Sequence, residues 1–232
     1  MTTAHENYAC DGGVDCTGDG QADLEYHNPT VEPAEDVGIE PRVLAFDIET
    51  DAHGQRLLAI SLYGLGADEV LIVDSTDRPM PEQAVRCANE FDALEAFCDR
   101  VRASDPDVLT GWNIVDFDLT ALARVAARVG HPFPLGRDPT PMRLRKPEGY
   151  FGSGQEFIPG RLVLDGIDLL RGAFVRMDDY SLDAVAREVL GEGKAVQGDV
   201  RHRVAEILHN YRHDLPAFAL YARTDARLAH EI

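Results

Sequence analysis

Apolar and polar positions fall into a regular pattern from Arg42 onward. Short runs with strand character cover 42–49, 57–64 and 69–74, separated by His53-Gly54 and Gly66-Ala67-Asp68, so three adjacent strands in a meander are predicted. Phe91, Leu94, Phe97, Cys98 and Val101 then recur at helical spacing and predict a helix over 89–103. Asp105-Pro106-Asp107 opens a fourth strand, Val108–Trp112. A second helix over 116–129 carries Leu119, Leu122, Ala126 and Val129 on one stripe and stops at Gly130 and Pro132. A further strand at 161–166 precedes helices at 181–190, 200–212 and 216–230. Strands alternating with helices imply an α/β layered fold with at least part of its sheet parallel.

Composition divides the chain. Residues 1–38 are rich in Gly, Asp, Glu, Asn and Pro and read as an acidic, flexible leader; 39–232 suffice for one well-buried domain. Within the leader, Asp15, Thr17, Asp19, Gly20 and Asp23 echo the ligand spacing of a calcium loop. The twelfth position is Tyr26 rather than a bidentate acid, so a solvated acidic tail is the favoured reading. Cys10, Cys16, Cys87 and Cys98 lack paired metal-ligand spacing and read as unpaired thiols. No apolar run approaches the ~20 residues that span a bilayer, and the N-terminus has neither a basic nor an apolar signal region. The expectation is a cytoplasmic protein with no membrane partner.

The formal charge of −19 argues against indiscriminate adhesion to nucleic acid. Lys146 and Lys194 are the only lysines, a skew shared by proteins adapted to high salt and by those from high-GC genomes. Against this background Arg137, Arg143, Arg145 and Lys146, followed by Tyr150 and Phe151, form a local basic and aromatic cluster. It suits either single-stranded nucleic acid or a solvated insertion.

Four carboxylates carry the candidate chemistry. Asp47 and Glu49, two apart at the end of the first strand, point to one face. Asp118 falls in the first turn of its helix, where the helix dipole favours a negative charge. In the last helix, started by Asp214 and Pro216, Asp225 shares a face with Phe218, Tyr221 and Leu228, so an acid lies among core-type residues. Each acid has an ordinary structural explanation taken singly, as a cap, a turn residue or a strand end. Together they form a self-repelling set of hard oxygen ligands that Mg²⁺ or Mn²⁺ would neutralise.

Asp47-Ile48-Glu49, Asn113-x-x-x-Phe117-Asp118 and Tyr221-x-x-x-Asp225 resemble, in order, the three exonuclease motifs of the proofreading domain of family B DNA polymerases. The likeness is greatest to the bacterial DNA polymerase II type. GWNIVDFDL, GRLVLDGIDLL and YSLDAVAREVLGEGK also resemble that group, and the likeness covers roughly residues 42–232. It implies a ribonuclease-H-like fold with a mixed central sheet flanked by helices, and 3′-to-5′ hydrolysis of DNA. By the same likeness Asp47, Glu49, Asp118 and Asp225 would hold two divalent ions, Mg²⁺ or Mn²⁺, in a two-metal mechanism. Tyr221 would orient the attacking water, and Asn113 and Phe117 would bind substrate. The implied partners are single-stranded or frayed DNA 3′ ends; Asp165 is a candidate supporting residue. No stretch matches a polymerase palm, fingers or thumb, so the expectation is an exonuclease that stands alone or belongs to a longer polymerase. The competing readings are an RNA-directed exonuclease of the same fold, a non-catalytic nucleic-acid-binding module and, more weakly, calcium-dependent adhesion through the leader.

Overall fold

In the computed structural model the described residues are 8–11, 14–15, 25–26, 30–33, 38–138, 140–145, 155–193 and 200–232. The chain forms two compact units, Met1–Glu40 and Pro41–Ile232. In the first, β1 (Tyr8–Asp11) pairs antiparallel with β4 (Thr30–Pro33), and β2 (Val14–Asp15) with β3 (Glu25–Tyr26). Of the calcium-loop echo, Thr17, Asp19, Gly20 and Asp23 lie outside the described residues.

The second unit is built on a six-stranded sheet of order β12-β9-β5-β6-β7-β8. Strands β5 (Val43–Thr50), β6 (Leu57–Gly64) and β7 (Ala67–Val73) form the predicted antiparallel meander. Strand β9 (Val108–Gly111) lies parallel to β5, and β12 (Leu162–Asp165) parallel to β9; β8 (Ala84–Cys87) adds a parallel edge beyond β7. A small hairpin, β10 (Arg143–Arg145) with β11 (Gln155–Phe157), stands apart from the sheet ladder.

Helices cover both faces, which is why the central strand β6 is buried over its first six residues. On one side α1 (Glu90–Ser104) and α2 (Thr120–Val129) enclose Leu44, Phe46, Ile48, Leu57 and Leu62 with Phe97, Cys98, Leu122 and Val125. On the other, α5 (Val200–His213) and α6 (Leu215–Glu231) pack Ile207, Phe218 and Ala222 on Leu58, Val70 and Ile72. Helix α4 (Leu182–Val189) joins α6 through Leu182, Ala186 and Leu228, with Trp112 beside them. Cys87 and Cys98 are buried free thiols whose pKa values burial pushes up, to about 11 and about 12.

The pattern reading needs three corrections. Helix 116–129 is two pieces: a π-helical segment Ile114–Leu119 and then α2. Strand 161–166 is shorter, because Asp165 accepts hydrogen bonds from Ile167 N and Asp168 N and so caps an unforeseen helix, α3 (Gly166–Gly172). Arg137, assigned to the basic cluster, is committed to the fold. Its guanidinium bonds Asp105 and Asp107 at 2.8 Å each, which ties the α1–β9 connection to the loop after α2. Lys146, Tyr150 and Phe151 lie outside the described residues.

Candidate active site

Strand alternation places the first two acids. Leu44, Phe46 and Ile48 enter the α1–α2 core, so Asp47 and Glu49 face the α6 side. Helix α6 brings Asp225 to meet them, because Phe218, Ala222, Ala226 and Ala229 on its buried stripe seat it against the sheet. Ligand oxygens of Asp47, Glu49 and Asp225 lie within 4.8 Å of one another, with Asp225 2% exposed and Glu49 9% exposed.

Asp118 lies outside that three-residue cluster and comes beside Asp47 where β9 leaves β5. Strand β9 follows β5 only as far as the Ala45–Thr110 pair. Past that point the chain leaves at Gly111, where a Cβ would lie 2.6 Å from the Phe46 carbonyl oxygen, so only glycine permits the approach. The π-helical segment then carries Asp118 back, and its Oδ1 accepts the Ile48 amide at 3.0 Å, taking the ladder position that β9 has vacated. Burial first, and the charge of Asp47 second, push the Asp118 carboxyl well above the ordinary range.

One turn before Asp225, the Tyr221 hydroxyl bonds the Asp225 carboxylate. Burial and the charges of Glu49, Asp225 and Asp47 raise its pKa far beyond the normal phenol value, so the group stays a hydroxyl donor. These residues open into a cavity of about 480 Å³, lined also by the loop Thr50–Gly54, by Phe117 and by Val204, Ile207 and Leu208 of α5. Phe117 is 47% exposed at this cavity.

Asn113 goes elsewhere. It stands exposed in a left-handed conformation (φ 61°) at the start of the π-helical segment and lines a second cavity, of about 300 Å³, with Trp112, Asp165, Arg171, Tyr180 and Ser181. The two candidate substrate residues thus face different hollows on the two flanks of one segment. Asp165 lines the second hollow too, and burial raises its carboxyl pKa. The α5 side chains and the Thr50–Gly54 loop were not foreseen as cavity lining, since aliphatic residues on an amphipathic helix carry no signal that separates a cavity wall from core.

The donor set fits a hard divalent cation: all the clustered ligands are carboxylate oxygens, and no histidine or thiol belongs to the cluster among the described residues. Comparison with known proteins places the chain. The family "DNA polymerase family B, exonuclease domain" matches residues 17–185. The chain belongs to that family. Its relatives include DNA polymerase II of Escherichia coli, 34% identical over 225 residues, 90% of this chain and 27% of that protein. The DNA polymerase delta catalytic subunit of Schizosaccharomyces pombe is 32% identical over 212 residues, 81% of this chain and 19% of that protein. The DNA polymerase of Pyrococcus glycovorans is 28% identical over 199 residues, 83% of this chain and 24% of that protein. The chain therefore spans about a quarter or less of these relatives. This family B exonuclease domain has the ribonuclease-H-like fold, a mixed sheet flanked by helices, and its class is that of the 3′-to-5′ exonucleases, hydrolases of phosphodiester bonds. No helix among the described residues is long and apolar enough to cross a membrane.

Proposed function

We propose that residues 39–232 act as a metal-dependent exonuclease that removes nucleotides from single-stranded or frayed DNA 3′ ends, with residues 1–38 an appended leader. The convergence of Asp47, Glu49 and Asp225 within 4.8 Å carries this reading, since such crowding of carboxylates is tolerable when cations neutralise it. DNA is taken as substrate because the relatives are named DNA polymerases.

In this reading Asp47, Glu49 and Asp225, with Asp118 beside Asp47, would hold the two divalent cations. When bound, Mg²⁺ or Mn²⁺ would supply positive charge at the scissile phosphate and lower the pKa of water, which would let hydrolysis run near neutral pH without a histidine base. Tyr221, kept protonated, donates to Asp225 and so holds it in place, while its hydroxyl oxygen accepts a hydrogen bond from the attacking water and orients it. Phe117 packs against the terminal nucleotide, while Val204, Ile207 and Leu208 keep bulk water from the opposite wall. Asn113 binds the strand on the other flank of the π-helical segment.

The test is an incubation of end-labelled single-stranded DNA or RNA with Mg²⁺, Mn²⁺ or EDTA. A ladder of 3′-shortened DNA that needs metal and is absent in Asp47→Ala is expected. Cleavage confined to RNA would move the assignment to an RNA exonuclease, and binding without cleavage would refute catalysis.

A further inference from the structure

Outside both cavities, one side chain is presented in a way that packing does not explain. Helix α3 ends in a Schellman motif: Val175 N bonds Leu170 O at 2.9 Å and Phe174 N bonds Arg171 O at 3.1 Å, with Phe174 in the left-handed position (φ 59°). Glycine is the usual occupant there, because a bulky side chain at positive φ is strained. Phe174 is also 90% exposed, the most exposed large hydrophobic residue described. The chain thus accepts backbone strain and an uncovered ring at one residue, a combination that points to function.

The surroundings hold the backbone of that turn in place. The Tyr180 hydroxyl donates to Val175 O at 2.7 Å, the Arg171 guanidinium lies 4.9 Å over the Tyr180 ring, and the Trp112 indole donates to Tyr180 O at 2.9 Å. Trp112 precedes Asn113, so these bonds fix the Phe174 turn to the segment that carries Asn113, Phe117 and Asp118. Arg171 and Tyr180 line the Asn113 cavity itself, so the turn that bears Phe174 is anchored to two residues of that cavity's wall. Arg171 and Arg176, both exposed, flank Phe174 in sequence, while Asp179 turns its carboxylate onto Ser181 N and Oγ at 2.8 and 2.9 Å.

We propose that Phe174 is a stacking platform for one base of the single strand, upstream of the nucleotide held at the carboxylates. A ring stacks on any base and so tolerates every sequence, which a proofreading-type exonuclease requires. The inference rests on the exonuclease reading above. A protein partner fits less well, because the ring stands singly beside charged neighbours rather than within an apolar groove.

The test compares wild type with Phe174→Ala, Phe174→Trp and Phe174→Gly on end-labelled single-stranded DNA with Mg²⁺. Phe174→Ala should raise KM about 5- to 100-fold with little change in kcat, and Phe174→Trp should restore it. Walking one abasic site along the oligonucleotide should find a position whose penalty in wild type vanishes in Phe174→Ala. Phe174→Gly should lose binding equally while its Tm holds or rises, because glycine relieves the positive φ. An unchanged KM in Phe174→Ala, or abasic penalties identical in both proteins, overturns the proposal while leaving the exonuclease reading intact. A fall in Tm that tracks the loss of binding in Phe174→Gly overturns it in favour of a structural role. Absence of cleavage in wild type overturns both.

Discussion

Gly111 and Tyr221 show how single positions set the acidic site. Gly111 matters for what it lacks: the carbonyl of Phe46 occupies the space a Cβ would need, and Phe46 directly precedes Asp47. Gly111→Ala must push β9 away from β5, or rotate the Phe46 peptide, at a cost of about 1–3 kcal/mol. The same shift misplaces Asp47 and Asp118 together, so kcat should fall on the order of 10²-fold, which thermal melts and single-turnover cleavage would check side by side. Unchanged kcat in a folded Gly111→Ala would mean the carboxylates tolerate the movement. Tyr221 tests a different property. Burial and nearby acids keep its hydroxyl protonated, so Tyr221→Phe should remove a donor without altering charge. A 10- to 100-fold loss of kcat with KM nearly constant is expected, and a loss expressed only in KM would make Tyr221 a substrate-binding rather than a water-orienting group.

Among the elements, what the sequence revealed depended on whether its signal was local. The meander β5–β6–β7 and helices α1, α4, α5 and α6 were legible because each carries its own periodicity or cap. Strand β8 is four residues at a sheet edge, β10 is three residues with only Leu144 half-buried, and α3 is seven residues with none buried, so none offers a pattern to read. The π-helical segment was hidden for another reason: its residues have ordinary helical composition, and only the need to bring Asp118 to Ile48 N singles it out. At the site, spacing put Asp47 and Glu49 on one face, but no sequence signal sent Asp118 to the strand edge or Asn113 to a separate hollow. Asp105-Pro106-Asp107 does open β9, as read, but no sequence signal showed that it is also an ionic clasp. Asp105 accepts from Arg137 and from buried Arg161, whose guanidinium also reaches Leu135 O and Pro106 O. The guanidinium of Arg137 first, and that of Arg161 as well, hold the Asp105 carboxyl below its usual range; the Arg42 amide and Arg137 do the same for Asp107. A depressed folded pKa contributes stability that is present above the unfolded value and lost as pH falls through the folded one. Urea unfolding should therefore show the clasp failing below about pH 4, and Asp105→Asn should remove part of that acid sensitivity. Arg161→Met should cost about 3 kcal/mol at pH 7 by stranding two carbonyls; a cost near zero would show that Arg137 suffices.

Taken whole, the molecule would, on the proposed function, meet a polyanion while carrying a charge of −19 with only two lysines. Much of its arginine complement is already committed: Arg78, Arg100, Arg128, Arg137, Arg161, Arg223 and Arg227 each face an acid of the same fold. Those pairs leave fewer cations to contact phosphates, and in the proposed reading the exposed aromatics Phe117 and Phe174 contact the strand instead. Affinity built on stacking and a few bound cations responds weakly to salt, since counterion release scales with the number of phosphates neutralised by side chains. With about one or two such contacts on a single strand, a tenfold rise in monovalent salt at fixed Mg²⁺ should raise KM only about 5- to 25-fold, whereas six contacts would raise it on the order of 10⁴-fold. The same rise should increase Tm, because screening relieves the repulsion among unbalanced acids. Steady-state cleavage and thermal melts across one salt series measure both. A steep KM slope together with a falling Tm would show that lysine-poor composition has not shifted recognition from charge to stacking, and that surface ion pairs rather than self-repulsion dominate the electrostatics of this domain.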